Sequence, residues 1–98
     1  MYKPLPDFLT IKSSKIHGLG LYAVRKILKN YIIGVTHVKD ERFENGYIRT
    51  PLGGFFNHSE SPNCEVVAVG DYLLLLSIKE IEPDQELTAK YTLYNPKV

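Results

Sequence analysis

The chain has 98 residues, 44% of them hydrophobic and 23% charged, which is one domain's worth of chain with the composition of a folded protein rather than a disordered one. A formal net charge of +1 excludes a broad field for nucleic acid, and the single cysteine, Cys64, excludes an intramolecular disulfide and a multi-cysteine zinc cluster. The longest apolar run, residues 72–76, is far too short to span a membrane, and Met1-Tyr2-Lys3-Pro4 does not open a secretory signal, so a cytoplasmic protein without a membrane partner is expected.

In chain order, the spacing of Val, Ile, Leu, Thr and Tyr between Gly, Pro, Asn and Asp clusters predicts strands over residues 8–12, 21–28, 31–38, 64–69, 72–78 and 86–90. The segment 21–28 has room for two helical turns, but its Tyr, Val and Ile content suits an extended chain. Gly70-Asp71 sits between two apolar runs and signals a two-residue hairpin, because glycine accepts positive φ without a steric penalty. Pro83-Asp84 starts another tight turn, with proline pre-setting φ. Without helical periodicity, repeats or a linker, residues 1–98 read as a single, small, mainly β domain. Charge is uneven along it: residues 1–29 carry six basic side chains and one acidic, and residues 64–98 three basic and six acidic. Such ends either attract one another side by side or leave a groove for a charged peptide.

Three segments are too specialised for generic turns. In Ser14-Lys15-Ile16-His17-Gly18-Leu19-Gly20-Leu21-Tyr22-Ala23, paired glycines let a ligand approach backbone N–H and C=O groups. The same residues fit a relaxed dinucleotide fingerprint, but Ser13-Ser14-Lys15 separates the glycines from the preceding strand and no helix follows. In residues 53–64, Asn57, His58 and Asn63 concentrate hydrogen-bonding groups, as in a recognition loop or simply in an ordinary Asn- and Pro-containing connection. Residues 84–94 read as a turn, a strand and a tyrosine, Tyr91, at the strand's exit, with Tyr94 three residues on. By itself Tyr91 suits a core or edge aromatic; seven tyrosines also fit a peptide-contacting surface. Neither a metal-ligand spacing nor a G-x-S-x-G elbow occurs, so a metal site and a serine hydrolase are set aside.

Taken together, K-x-x-G-x-G-L-[FY]-A over residues 15–23, F-x-N-H-S-x-x-P-N over residues 55–63 and E-L-T-x-x-Y over residues 86–91 resemble the SET-domain protein-lysine methyltransferases, in particular the minimal viral and bacterial type. The resemblance implies a β-clip of small sheets with a C-terminal pseudoknot, in which the segment after the last strand threads under the Asn-His-Ser loop. It implies S-adenosylmethionine as cofactor, with backbone groups of Gly18, Leu19 and Gly20 and the side chain of Asn57 at its amino-acid part. His58 would hold the adenine mainly through backbone atoms. Tyr91 would be catalytic and Tyr94 would line the cofactor or lysine pocket, although Thr92-Leu93 departs from the family's glycine-containing spacing.

The implied substrate is a lysine in a protein or peptide, a histone or other basic protein among them. No pre-SET or zinc-binding post-SET region is expected, no metal is required, and a homodimer is the expected way to complete the lysine channel. The competing reading is a SET-like module that grips a peptide or partner without turnover. Tyr22, Tyr47 and Tyr72 are candidates for the rest of the lysine channel that no motif fixes: core packing is the expected role of Tyr22 and Tyr72, and Tyr47 falls where the family's insert would be and stays a channel candidate.

Overall fold

The computed structural model describes residues 5–43 and 46–90. Eight strands form: β1 Leu9–Ser13, β2 Leu19–Ala23, β3 Ile32–Lys39, β4 Tyr47–Arg49, β5 Asn57–His58, β6 Cys64–Val69, β7 Tyr72–Ser77 and β8 Glu86–Ala89. A single 3-10 turn, Leu52–Gly54, precedes β5. The fold is mainly β, as the composition and spacing predict. The pseudoknot segment, residues 91–98, lies outside the described residues.

Residues 64–69 form the expected strand, and Gly70 turns the chain at φ +59° into β7, giving the antiparallel register Val69↔Tyr72 through Cys64↔Ser77. In β7, Leu73 and Leu75 face the core while Leu74 and Leu76 face outward and are only half covered. β3 pairs with the far side of β7, with shifts of register between Ile32 and Gly34 and between Val35 and His37. Such irregularities explain how the consecutive residues Thr36 and His37 are both buried. Pro83-Asp84 forms the predicted turn, closed by Gln85 N–H to Glu82 O at 3.1 Å, with Asp84 at φ +69°.

The strands run in the order β1-β2-β8-β6-β7-β3-β4, with β5 alongside β8. β8 therefore joins two antiparallel ladders: it runs antiparallel to β2 and parallel to both β5 and β6. The core lies beneath it, where Leu21, Leu75, Ile81 and Leu87 are fully buried. Ile27 and Ile81 exchange backbone hydrogen bonds of 2.8 Å, and Ser77 Oγ donates to Leu28 O at 2.6 Å, fixing the segment after β2 against the end of β7.

Two expectations need correction. The strand expected over residues 21–28 ends at Ala23, and only Ile27 rejoins the pairing, as an isolated bridge to Ile81, because the neighbouring chain turns away at Pro83-Asp84, where Asp84 N–H closes on Ala23 O at 2.7 Å. Tyr72 is no core residue: it is 49% exposed, on the same outer face as Ile32, Leu74, Leu76, Val67 and Val69. Tyr22 is buried, as expected.

Candidate active site

The three specialised segments meet at β8. The loop between β1 and β2 is a local construction: Ser14 N–H donates to Gly18 O at 2.8 Å, and Ser14 Oγ accepts from Ile16 N–H at 2.9 Å and His17 N–H at 3.3 Å. Gly18 stands at φ +52°, where a side chain would be strained. Gly20 is required for a different reason, since a Cβ there would overlap Glu86 Oε2. The register Tyr22↔Glu86 delivers Glu86 to this loop, and the parallel register Asn57↔Thr88 delivers Asn57.

Asn57 Nδ2 is the meeting point. It lies 2.8 Å from Glu86 Oε2, 3.1 Å from Ser14 Oγ, 3.1 Å from Leu19 O and 3.2 Å from His17 O. Ser14 Oγ donates to the Glu86 carboxylate, at 2.9 Å from Oε1 and 2.8 Å from Oε2. Tyr22 Oη donates to Ser13 O at 2.9 Å and stands 3.4 Å from Glu86 Oε1. Of these, the sequence motifs point to Asn57; Tyr22, read from the sequence as a core residue, also reaches the cluster with its hydroxyl, and neither Ser14 nor Glu86 carries a sequence signal of its own. Ser14 and Glu86 are 72 residues apart, and no local pattern announces a pair at that separation.

Gly18, Leu19, Gly20 and Asn57 are thus brought together as the resemblance implies, with Leu19 exposed beside them. His58 follows on β5 with its backbone paired to Ala89, while its ring Nε2 lies 2.8 Å from Glu60 Oε2. Hydrogen bonds from His58 and then Lys90 hold the exposed Glu60 carboxyl below the usual range. Asn63, grouped with these residues in the sequence, serves the fold: its Nδ2 donates to Glu86 O at 2.8 Å and its Oδ1 accepts from Thr88 N–H at 2.9 Å, replacing a strand partner for β8. The expected loop around Asn57 and His58 is in fact a short strand, for its hydrogen bonds go to a distant partner. Tyr91 and Tyr94 lie outside the described residues.

Two titratable groups sit apart from this cluster. Burial, followed by the nearby Arg49 charge, lowers the pKa of His37, whose Nδ1 is 2.8 Å from Thr36 Oγ1. Burial pushes the Cys64 thiol up to about 12, so it is neither a nucleophile nor a thiolate ligand at neutral pH.

Residues 37–92 match the SET domain family model, and the chain belongs to that family. The Gly18–Gly20 turn precedes the matched span. Among relatives, the mouse histone-lysine N-methyltransferase SMYD3 is 46% identical over 41 residues, 42% of this chain but only 10% of the relative's length. Solved structures show the same fold at low identity. A Plasmodium falciparum protein assigned as a histone methyltransferase superposes with a TM-score of 0.70 at 22% identity, covering 91% of this chain and 96% of its own. The methyltransferase domain of human PR domain-containing protein 2 gives 0.72 at 18% identity, covering 96% and 84%.

Proposed function

We propose that the chain is a protein-lysine N-methyltransferase, a single minimal SET domain over residues 1–98, that draws its methyl group from S-adenosylmethionine. The observation that carries this reading is the convergence of the Gly18–Gly20 turn, Asn57 and β8 on one half-exposed spot. The acceptors there suit the ammonium group of the cofactor's amino-acid part. His17 O, Leu19 O and the Glu86 carboxylate are acceptors, and among the described residues no group donates to Asn57 Oδ1. An acceptor-rich, negatively charged cluster complements an α-ammonium group.

When bound, S-adenosylmethionine supplies a methyl group activated by a sulfonium. The chain's residues must bind it, align the substrate amine and keep water out. A lysine ammonium, with a pKa of about 10.4, has no lone pair for attack, so the amine must lose its proton first. An apolar channel that ends near a positive sulfur favours the neutral amine through desolvation and like-charge repulsion. Tyr91, whose hydroxyl has an unperturbed pKa of about 10, suits alignment and electrostatic stabilisation better than proton abstraction. Holding nucleophile, carbon and leaving sulfur in line is worth roughly 7–11 kcal/mol where the geometry is near attack, which a small rigid β scaffold can supply. Tyr94 is assigned to the pocket wall, and His58 to the adenine through its backbone.

A basic protein such as a histone is the proposed substrate class, in keeping with the relatives' names and with the six acidic against three basic residues over 64–98. The reading extends to a homodimer, for which the apolar outer face formed by Ile32, Leu74, Val67, Val69 and Tyr72 offers surface. A monomeric mass in light scattering removes that extension. The activity itself is tested by transfer of labelled methyl from S-adenosylmethionine to core histones and other basic proteins, with Tyr91→Phe alongside. Labelling that falls at least about tenfold in the variant, with cofactor affinity kept, supports the assignment; equal labelling removes Tyr91 from the mechanism.

A further inference from the structure

The Glu86 carboxylate receives its hydrogen bonds from neutral groups, Ser14 Oγ and Asn57 Nδ2, with the Tyr22 hydroxyl standing 3.4 Å from Oε1. Among the described residues no lysine, arginine or histidine forms an ion pair with it. A half-buried negative charge held this way is costly unless its field is used. Its neighbours are the two elements that would bind the ligand: the Gly18–Gly20 turn, where Gly20 lacks the Cβ that would overlap Oε2, and the Asn57 amide.

An amide has one end that donates and one that accepts, and its two orientations have nearly the same shape. Beside an ionised carboxylate only one is tolerated. Glu86 accepts and cannot donate, so Asn57 must turn Nδ2 toward it, and His17 O and Leu19 O reinforce the same choice. The atom left for a ligand is Asn57 Oδ1, an acceptor. Were the amide reversed, its N–H groups would face the ligand, and the site would repel an ammonium group.

We propose that Glu86 is a positioning residue that fixes the hydrogen-bond polarity of the Asn57 amide, so that the site selects ligands bearing an α-ammonium group. Glu86 acts through Asn57, while Ser14 Oγ anchors the same carboxylate to the loop. The inference rests on the reading of this site as the S-adenosylmethionine site, and it adds a residue that sets which part of that molecule is read.

The test is calorimetric titration of the whole chain with two probes: S-adenosylmethionine, and 5′-methylthioadenosine, which keeps the adenosine and sulfur but lacks the amino-acid part. Glu86→Ala should weaken S-adenosylmethionine about tenfold, the scale of a lost charge-assisted hydrogen bond, while affinity for methylthioadenosine stays within about twofold. Glu86→Gln keeps an acceptor oxygen without the charge and should recover part of the loss. Combining Glu86→Ala with Asn57→Ala should be no worse than Asn57→Ala alone, because both act through one amide.

Equal weakening for both probes, or additive losses, would overturn the proposal and leave Glu86 as a staple of the fold. Should Glu86→Ala fail to fold, Glu86→Gln decides by the same comparison. Binding of neither probe by the wild-type chain would overturn the reading of the site instead. In that case the side-chain N–H2 signals of Asn57 still judge Glu86: slow hydrogen exchange in the wild type that is lost on its substitution supports its hold on the amide, and unchanged exchange refutes it.

Discussion

The ladder of β6, β7 and β3 and the cluster around β8 are built on opposite principles. In the first, Leu73, Leu75, Val66 and Ile33 go inward along strands joined by a glycine turn, and apolar burial does the work. In the second, Ser14, Asn57 and Glu86 are gathered from three separate segments, and hydrogen bonds to one carboxylate hold them. The ladder can lose a contact only by losing packing. The cluster, held by hydrogen bonds at a half-exposed spot, is expected to lose its geometry at a smaller cost to the fold.

The largest expected effect falls on the ladder: Leu75→Ala, at a fully buried position, should cost about 2–5 kcal/mol in urea unfolding. Gly53→Ala should follow with about 1–3 kcal/mol, since the new Cβ would overlap the backbone carbonyl of Thr36, which cannot swing away. Gly20→Ala sharpens the contrast. Its Cβ meets the carboxylate end of the Glu86 side chain rather than backbone, so stability should fall by less than about 1 kcal/mol, yet S-adenosylmethionine affinity should drop as the carboxylate leaves Asn57. A loss of stability as large as that of Gly53→Ala would erase the distinction.

A smaller effect comes from His37. Its pKa in the folded chain lies below its ordinary value of 6.5, so between that value and the lower folded one the unfolded state binds more protons. Stability is therefore fully present above pH 6.5, declines as pH falls below it, and levels off beneath the folded pKa. His37→Gln should flatten that part of the urea-midpoint profile. The least effect of all is expected at Cys64, which should resist alkylation at neutral pH until the chain is unfolded, its thiol being buried and pushed up to about 12.

The same contrast governs what could be read from the amino acids. The hairpin about Gly70 and the strands on either side are legible because apolar and β-branched enrichment and turn chemistry are local. Tyr72 was placed on the wrong side of the sheet because β7 is apolar on both faces, and a run of leucines does not say which face is covered. Asn57 and His58 look like loop residues for the same reason in another form: a two-residue strand owes its existence to β8, which lies some thirty residues away. The motifs pointed to Gly18, Gly20 and Asn57 as a group, but motif matching does not show that Gly20 makes room for a carboxylate, nor that Asn63 braces β8.

The position of β8 has a consequence for how the chain comes into being. A ribosome releases β1 to β7 before β8, although β8 sits between β2 and β6 in the sheet. Until residues 86–89 emerge, no strand can join β2 to β6, and any ladder that forms earlier presents an unpaired edge open to other chains. Closing them requires contacts far apart in sequence, which are slow to form. The Ser14, Asn57 and Glu86 cluster is thus the last part of this region to exist during synthesis, and a translation stop before Glu86 leaves an aggregation-prone product with no cluster at all.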